Sequence, residues 1–406
     1  MKNKSINILG IGFLFFILMG FLAASHLAVT SAWAEEEIVM LGVFPLSGPY
    51  ADEARDQNRG TELALEEVGY KVLGKKIRYV LRDTELKAGV GVRRAKDVIE
   101  SQGAKFMVGA ASSSVALALS QLATSKNVVY LTHTGADEIT GTKCRKYTFR
   151  WSGPTYTITR GVILPLIQKY PDAKRWYTIT TKYVFGESLL NNAKEIFKEH
   201  GIKHVGNDYH PIGESEYSTF LTKAAASKAD IILLLNFGGD ATKAIKQAHN
   251  YGLKKSAKIV LAWGSGVTQF RALGNEALED VYFGLQYWHG INSPVTKRLN
   301  TTYKQKYEDF SDYSVAGSYI IMKILLDAIE KAGTTDADAV IKTLEGYTFQ
   351  GPTGEESVRA GDHQVIKKVY LAKGKTKLQM KYDADFIEIV DKSAFFIPLE
   401  QNPCKF

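Results

Sequence analysis

The sequence predicts an α/β protein of two doubly wound parallel-sheet lobes joined by a three-segment hinge, and three observations carry that prediction. From Ile38 onward, short apolar runs alternate with amphipathic helical stretches, the pattern of a parallel sheet with helices on both faces. The alternation runs through twice, with a break at Phe149-Arg150-Trp151-Ser152-Gly153-Pro154. The chain has 406 residues, more than one hydrophobic core usually serves.

In the first series, Ile38–Phe44 predicts a strand, Arg59–Val68 a helix, Ile77–Arg82 a strand and Gly91–Ser101 a helix. Phe106–Val108 then predicts a strand, Val115–Lys126 a helix and Val128–Thr132 a strand. The second series opens with a helix over Tyr156–Tyr170, followed by a strand at Arg175–Thr180, a helix at Gly186–His200 and a strand at His204–Tyr209. Tyr217–Lys228 predicts a helix, Ile231–Leu235 a strand and Asp240–Tyr251 a helix, with further strands at Lys258–Ala262 and Val281–Tyr287.

Near Ser293 the rhythm changes. Val295–Asp309, Ser314–Ala332 and Asp336–Leu344 read as three helices without enough strands of their own. They need a sheet to cover, which brings the chain back to the first lobe. Strands near Val365–Ala372 and Leu378–Ile387 are expected to close the structure. The expected lobes are therefore 35–153 with 289–361, and 154–288 with 362–406. A cleft between the carboxyl ends of their strands is where open α/β sheets bind ligands.

The N-terminal stretch predicts export. Lys2 and Lys4 precede the apolar run Ile8–Ala24, and Ala32-Trp33-Ala34 offers the small-x-small pattern of a cleavage site. Residues 1–34 read as a signal peptide cleaved after Ala34, which places the product in the periplasm. The rival reading is a retained membrane anchor, because the run approaches the roughly 20 residues that span a bilayer. No Cys follows the run to accept a lipid, and no later run is long and apolar enough to span a membrane.

The formal charge of +8 is dispersed among many acids. Lys174-Arg175 and Lys254-Lys255 are pairs rather than tracts, so nucleic acid is not an expected partner. The two cysteines, Cys144 and Cys404, invite a disulfide in an oxidising compartment, one that ties the C-terminal tail to the body. Two buried thiols are the alternative. The sequence carries no Gly-x-Ser-x-Gly elbow, no His-Glu-x-x-His, no phosphate loop and no zinc-spaced Cys/His cluster. Neither a cofactor nor a metal is expected, and a monomer is.

The stretch from Phe106 to Ser114 carries the first site reading. A short strand ends in small residues and then in Ser112-Ser113-Ser114 at a helix start, where N–H groups without intrahelical partners and the positive end of the dipole attract an anion. A carboxylate cradle at Ser112 and Ser113 is expected, against the plainer reading of a serine N-cap. Tyr50, Trp151, Tyr156, Phe185, Phe237 and Trp263 lie near the expected cleft loops, where flat rings stack on a ligand, although such rings equally suit a core. His133 follows the neighbouring strand. A Ser/His pair there is the hydrolase alternative, and a polar cleft residue the milder one.

Gly42-Val43-Phe44-Pro45-Leu46-Ser47-Gly48-Pro49-Tyr50 resembles the opening strand and loop of periplasmic binding proteins of the leucine/isoleucine/valine-binding family, which serve ATP-driven importers. Further marks follow in order: Gly60 with Ala64, Asp83, Val108-Gly109, Tyr147-Thr148-Phe149-Arg150, Phe185-Gly186-Glu187, Gly351-Pro352-Thr353-Gly354 and Asp362-His363-Gln364. The resemblance covers nearly the whole chain beyond the export segment. It implies the type I periplasmic binding fold and a ligand carboxylate held by Ser112, with Ser113, Thr134 through its backbone, and Ala136 or Asp137.

The resemblance also marks a departure. Where the family's amino-acid binders meet the ammonium with a Tyr and a Glu, this chain has Phe237 and Ser265. A buried ammonium without a carboxylate partner costs several kcal/mol, which argues against an ordinary α-amino acid unless Asp137 or Asp240 supplies the charge. The expected ligand is therefore a small carboxylate, with an aromatic or other amine-free acid as the finer reading. Some relatives bind aromatic acids, and Tyr147-Thr148-Phe149-Arg150 with Cys144 before it resembles those more than the branched-chain binders. The expected partner is the membrane permease of an ABC importer, and a ligand-sensing subunit of a signalling system is the alternative. Capture is expected to proceed by closure about crossings near Trp151-Pro154, Tyr287-Ile291 and Gly361-Gln364.

Overall fold

The computed structural model describes residues 37–406. The expected signal peptide and its cleavage site lie outside the described residues. Among those residues no helix is long and apolar enough to cross a membrane.

Two sheets organise the chain. The first contains β1 (Ile38–Phe44), β2 (Lys71–Val72), β3 (Lys75–Asp83), β4 (Phe106–Gly109), β5 (Val129–Thr132) and β6 (Thr148–Arg150). The second contains β7 (Arg175–Thr181), β8 (Lys203–His210), β9 (Ile231–Leu235), β10 (Lys258–Gly264) and β11 (Tyr282–Leu285). The last third of the chain then adds β12 (Thr348–Gly351), β13 (Gly354–Arg359) and β14 (Gln364–Ile366) to the first sheet, and β15 (Val369–Gly374) and β16 (Ile387–Ser393) to the second. The strand orders are β12-β13-β14-β6-β5-β4-β1-β3-β2 and β16-β15-β11-β10-β9-β7-β8.

The two halves follow one plan. β1 lies between β3 and β4, and β7 between β8 and β9, all in parallel. The later strands add antiparallel edges to both sheets. β1 and β9 are buried along their whole lengths, as uninterrupted apolar runs must be in a sheet covered on both faces. This is the doubly wound α/β architecture that the sequence predicts.

The first helix runs Ala51–Glu67, starting well before the expected Arg59. Its opening turns are polar and carry no apolar stripe. They are helical because Asp52 and Glu53 sit at the positive end of the dipole while Ala54, Asp56 and Gln57 turn inward. The long helix Tyr313–Ala332 crosses it closely: a Cβ on Gly60 would come within 2.2 Å of the Val315 carbonyl oxygen. That helix, buried nearly all round, covers the first sheet, so the late helices do return to the first lobe.

The expected strand Leu378–Ile387 is corrected. Lys377–Gln379 is a helical turn held by a Thr376/Gln379 capping box, and Leu378 is 98 % exposed. Asp385 then accepts from Lys375 Nζ at 2.6 Å and the Lys381 N–H at 3.0 Å, and the strand forms only at Ile387–Ser393.

Three segments connect the sheets: 151–154, 286–293 and 367–368. The third falls a few residues beyond the expected boundary at 361/362, because Gln364–Ile366 still pairs in the first sheet. The last residues also leave the second lobe to which 362–406 was assigned. Asn402 Nδ2 donates to the Thr140 carbonyl at 3.2 Å and to Asp362 at 2.7 Å, and Cys404 is disulfide-bonded to Cys144.

The crossings are bonded to one another. Gln286 accepts from the Gly153 N–H and donates to the Gly153 carbonyl, at 3.0 and 3.2 Å. Gln364 Nε2 donates to the Ser152 carbonyl at 2.8 Å, and Lys367 Nζ to the Gln286 carbonyl at 2.6 Å.

Candidate ligand-binding cleft

A forced turn follows β4. Gly109 has φ +131°, and a Cβ there would lie 2.3 Å from the Val43 carbonyl oxygen, a combination only glycine tolerates. Ala110, also at positive φ, donates its N–H to that oxygen at 2.8 Å. The chain is thereby drawn over the carboxyl end of β1 before the helix Ser113–Lys126 begins.

Ser112 is the N-cap residue of that helix, with its carbonyl accepting from the Ala116 N–H at 2.9 Å and its hydroxyl making no capping bond. The Ser113 hydroxyl accepts from the Ala136 N–H at 3.1 Å, joining this helix start to the loop after β5. Arg150 supports that loop from beneath. Its Nη1 donates to the carbonyls of Gly135 at 3.2 Å and Ala136 at 2.5 Å, and its Nε to Gln364 at 2.7 Å. Burial pushes the Arg150 guanidinium down to about 10, so it stays charged at neutral pH.

A narrow cavity of about 20 Å³ lies between the lobes. Ser113, His133, Thr134 and Gly135 form its first-lobe wall. Opposite stand Tyr183, Phe185, Phe237 and Trp263. Gln57 and Tyr313 close the side, and the buried Gln57 Oε1 has no hydrogen-bond partner.

The walls meet at Gly135, where a Cβ would lie 2.6 Å from the Phe185 ring and 2.8 Å from Trp263. The rings brace each other edge to face: Phe185 on Trp263 at 5.2 Å, Trp263 on Tyr313 at 5.8 Å and Phe237 on Tyr50 at 5.7 Å.

The structure thus brings Ser113, Thr134, Phe185 and Phe237 to one cavity, which Ser112 and Ala136 do not line, although the Ala136 N–H bonds the Ser113 hydroxyl. Tyr156 stands apart: it is half-buried, with the Arg160 guanidinium 4.0 Å from its ring centroid. Ser265 lines an adjoining cavity of about 230 Å³, together with Glu53, Asp56 and Asp312.

Neither aspartate offered for an α-ammonium is unoccupied. Asp137 accepts from the Tyr156 N–H at 2.9 Å and from Asn192 Nδ2 at 2.6 Å. Asp240 accepts the Gly213 N–H on both oxygens, at 3.1 and 3.0 Å. His133 places Nε2 3.0 Å from the Ser318 hydroxyl and sets its ring edge-on to Tyr313, and burial pushes its imidazole down to about 3. A neutral ring bonded to Ser318 does not make the Ser/His pair considered from sequence.

Gln57, Tyr183 and Tyr313 escape sequence reasoning. Gln57 lies in the polar opening of a helix that no periodicity marks. Tyr313 follows an Asp N-cap, a signal for a helix start and not for a cleft. Tyr183 stands two residues before Phe185, so closer attention to the loop after β7 could have found it.

Two doubly wound lobes, three bonded crossings and a cavity between strand ends define a protein that holds a small molecule between its lobes. The chain belongs to the periplasmic binding protein family, whose profile matches residues 38–379. A solved amino acid ABC transporter substrate-binding protein from Pseudomonas fluorescens is 43% identical, with a TM-score of 0.88 over 92% of this chain and 100% of that one. The Leu/Ile/Val-binding protein homolog 7 of Brucella abortus is 25% identical over 365 residues, covering 84% of this chain and 91% of its own. A solute-binding protein of Rhodopseudomonas palustris, solved in complex with benzoate, shares the fold at a TM-score of 0.81 and 22% identity, over 91% of this chain and 100% of its own.

Proposed function

We propose that this protein is the periplasmic solute-binding component of an ABC importer, that it captures a small carboxylate between its lobes, and that it delivers it to a membrane permease without turning it over. The observation that carries this reading is the pairing of walls: hydroxyl and backbone groups at Ser113, Thr134 and Gly135 face the rings of Phe185, Phe237 and Trp263. The first wall offers an anion the start of a helix; the second offers a flat body its ring faces.

Asp137 and Asp240 are both engaged by N–H donors, so the reading favours an acid without an α-ammonium. The benzoate complex of the Rhodopseudomonas palustris protein supports an aromatic body as compatible with this fold. Closure is a shift in population toward the state in which both walls touch the ligand. With the walls this close, the lobes must part for a ring to enter.

A thermal-shift screen of the protein against aromatic acids, aliphatic acids, α-amino acids and amides tests the proposal. A tight carboxylate adds about 2.7 kcal/mol of stability at a hundredfold excess over Kd. Shifts confined to α-amino acids would overturn the reading of an acid without an α-ammonium. Shifts confined to amides would overturn the carboxylate, and conversion of any hit would overturn the binding-only role.

A further inference from the structure

The cavity of about 230 Å³ beside the aromatic one is walled by the next residues of the same segments. Glu53 and Asp56 lie on the helix that carries Gln57, Gly238 follows Phe237, Ser265 follows Trp263-Gly264, and Asp312 precedes Tyr313. Both cavities are thus lined from the same four stretches of chain.

The chemistry changes between them. Glu53 makes neither an ion pair nor a hydrogen bond to another residue among the described ones. Its carboxylate rests on the backbone at the start of the second-lobe helix Gly238–Asn250, where a Cβ on Gly238 would be 2.4 Å from Oε1. Asp56 is partly neutralised by Arg59 at 3.2 Å and Arg55 at 3.9 Å. Asp312 is bonded to the Val315 N–H and the Thr268 hydroxyl, both at 3.1 Å, and has no cation beside it.

Lys243 also lines the cavity, but its ammonium donates to the Glu214 carbonyl at 3.1 Å. Asp52 lines it too, exposed and paired with Arg55 at 2.8 Å. Ser265 provides an independent sign: it is 4 % exposed, lines this cavity, and its hydroxyl has no partner. A buried hydroxyl left unpaired beside unneutralised carboxylates suits a donor-rich cation. Among the described residues no group of His, Cys, Asp and Glu is arranged to hold a metal ion, which points to an organic cation.

We propose that the compartment of Glu53, Asp312 and Ser265 receives an ammonium or amidinium group at the far end of the ligand, so that the transported acid is a zwitterion with its charges at opposite ends. This rests on the carboxylate reading above and goes beyond it by assigning the second charge. The carboxylate lies at Ser113 and Thr134, the body between the rings, and the cation against Glu53.

Calorimetry at pH 7.5 with isosteric pairs tests the assignment: 4-(aminomethyl)benzoate against 4-ethylbenzoate, and 5-aminopentanoate against hexanoate. The ammonium member of at least one pair is expected to bind tenfold or more tightly than its neutral partner. In a folded Glu53→Gln variant, checked by circular dichroism, that ratio is expected to fall toward one, and Ser265→Ala is expected to reduce it by a smaller factor. Equal or tighter binding of the neutral members overturns the proposal and leaves the carboxylate reading standing. A ratio unchanged in Glu53→Gln also overturns it, because the preference then arises elsewhere. Failure of both members of both pairs to bind, with a thermal shift from uncharged amides, removes the carboxylate reading and the proposal together.

Discussion

At the hinge, buried charges are given partners. Lys367 sits 4.2 Å from the Trp151 ring centroid, donates to Gln286 and feels the Glu356 carboxylate, while Glu356 accepts from Trp151 Nε1 at 2.6 Å and from the Thr353 N–H at 2.8 Å. Across the cleft, Glu53, Asp56, Asp240 and Asp312 gather like charges with few cations among them. The Glu53 carboxyl is accordingly pushed up to about 7, first by burial and then by Asp52, Asp56 and Asp240. One region is complete within the chain and fixes how the lobes are joined. The other gathers carboxyls whose charge is met only by bound protons or by a bound cation.

The sharpest way to break this contrast is to unbalance the hinge. Glu356→Ala leaves Lys367 buried without its countercharge, and we expect a loss of about 3–5 kcal/mol in urea unfolding. A loss under about 1 kcal/mol would show that water or another group replaces the carboxylate, and the hinge would no longer be the completed region.

A second test concerns the tail. Replacing Cys144 and Cys404 together by Ser is expected to cost about 2–4 kcal/mol, since the bond closes a loop with a sequence separation of 260. The melting temperature of the wild type should fall with reductant while that of the double variant should not.

On the cleft side, Ser113→Ala combined with Phe237→Leu touches both walls while nearly preserving volume. We expect at least a tenfold loss of affinity, about 1.4 kcal/mol, for whichever carboxylate the thermal screen identifies. Unchanged affinity by calorimetry would remove these residues from the site.

The last test is in pH. With Glu53 pushed up to about 7 and Asp240 to about 6, the folded state holds protons that the unfolded chain releases near its ordinary carboxyl pKa. That stabilisation is full below about 4.5 and is lost as pH rises through about 6 to 7. Between pH 5 and pH 8 Glu53 alone should therefore cost the folded protein on the order of 2 kcal/mol, while the buried His133, pushed down to about 3, works in the opposite sense. In urea titrations the wild type should lose stability relative to Glu53→Gln as pH rises from 5 to 8. An equally steep profile in the variant would mean that Glu53 is solvated and that the acidic compartment is weaker than its geometry implies.

The layered α/β plan, its repetition and the return of the late helices to the first sheet were all legible in the alternation of apolar runs. Parallel strands buried on both faces must be continuous in hydrophobicity, as at Ile231–Leu235, and this leaves a local imprint. The turn at Gly109 and the helix start at the serines were legible for a similar reason, because these residues are neighbours in the chain. Folding decided where distant segments meet. Gln57, Phe237, Ser265 and Tyr313 lie far apart in sequence, and nothing local records that Glu53 will rest on Gly238 or that Asp312 will face the same cavity. The polar start of the first helix, the false strand at Leu378–Ile387 and the acidic compartment share this cause. Their energies come from contacts across the molecule, from burial and the summed field of like charges, which no window of sequence contains.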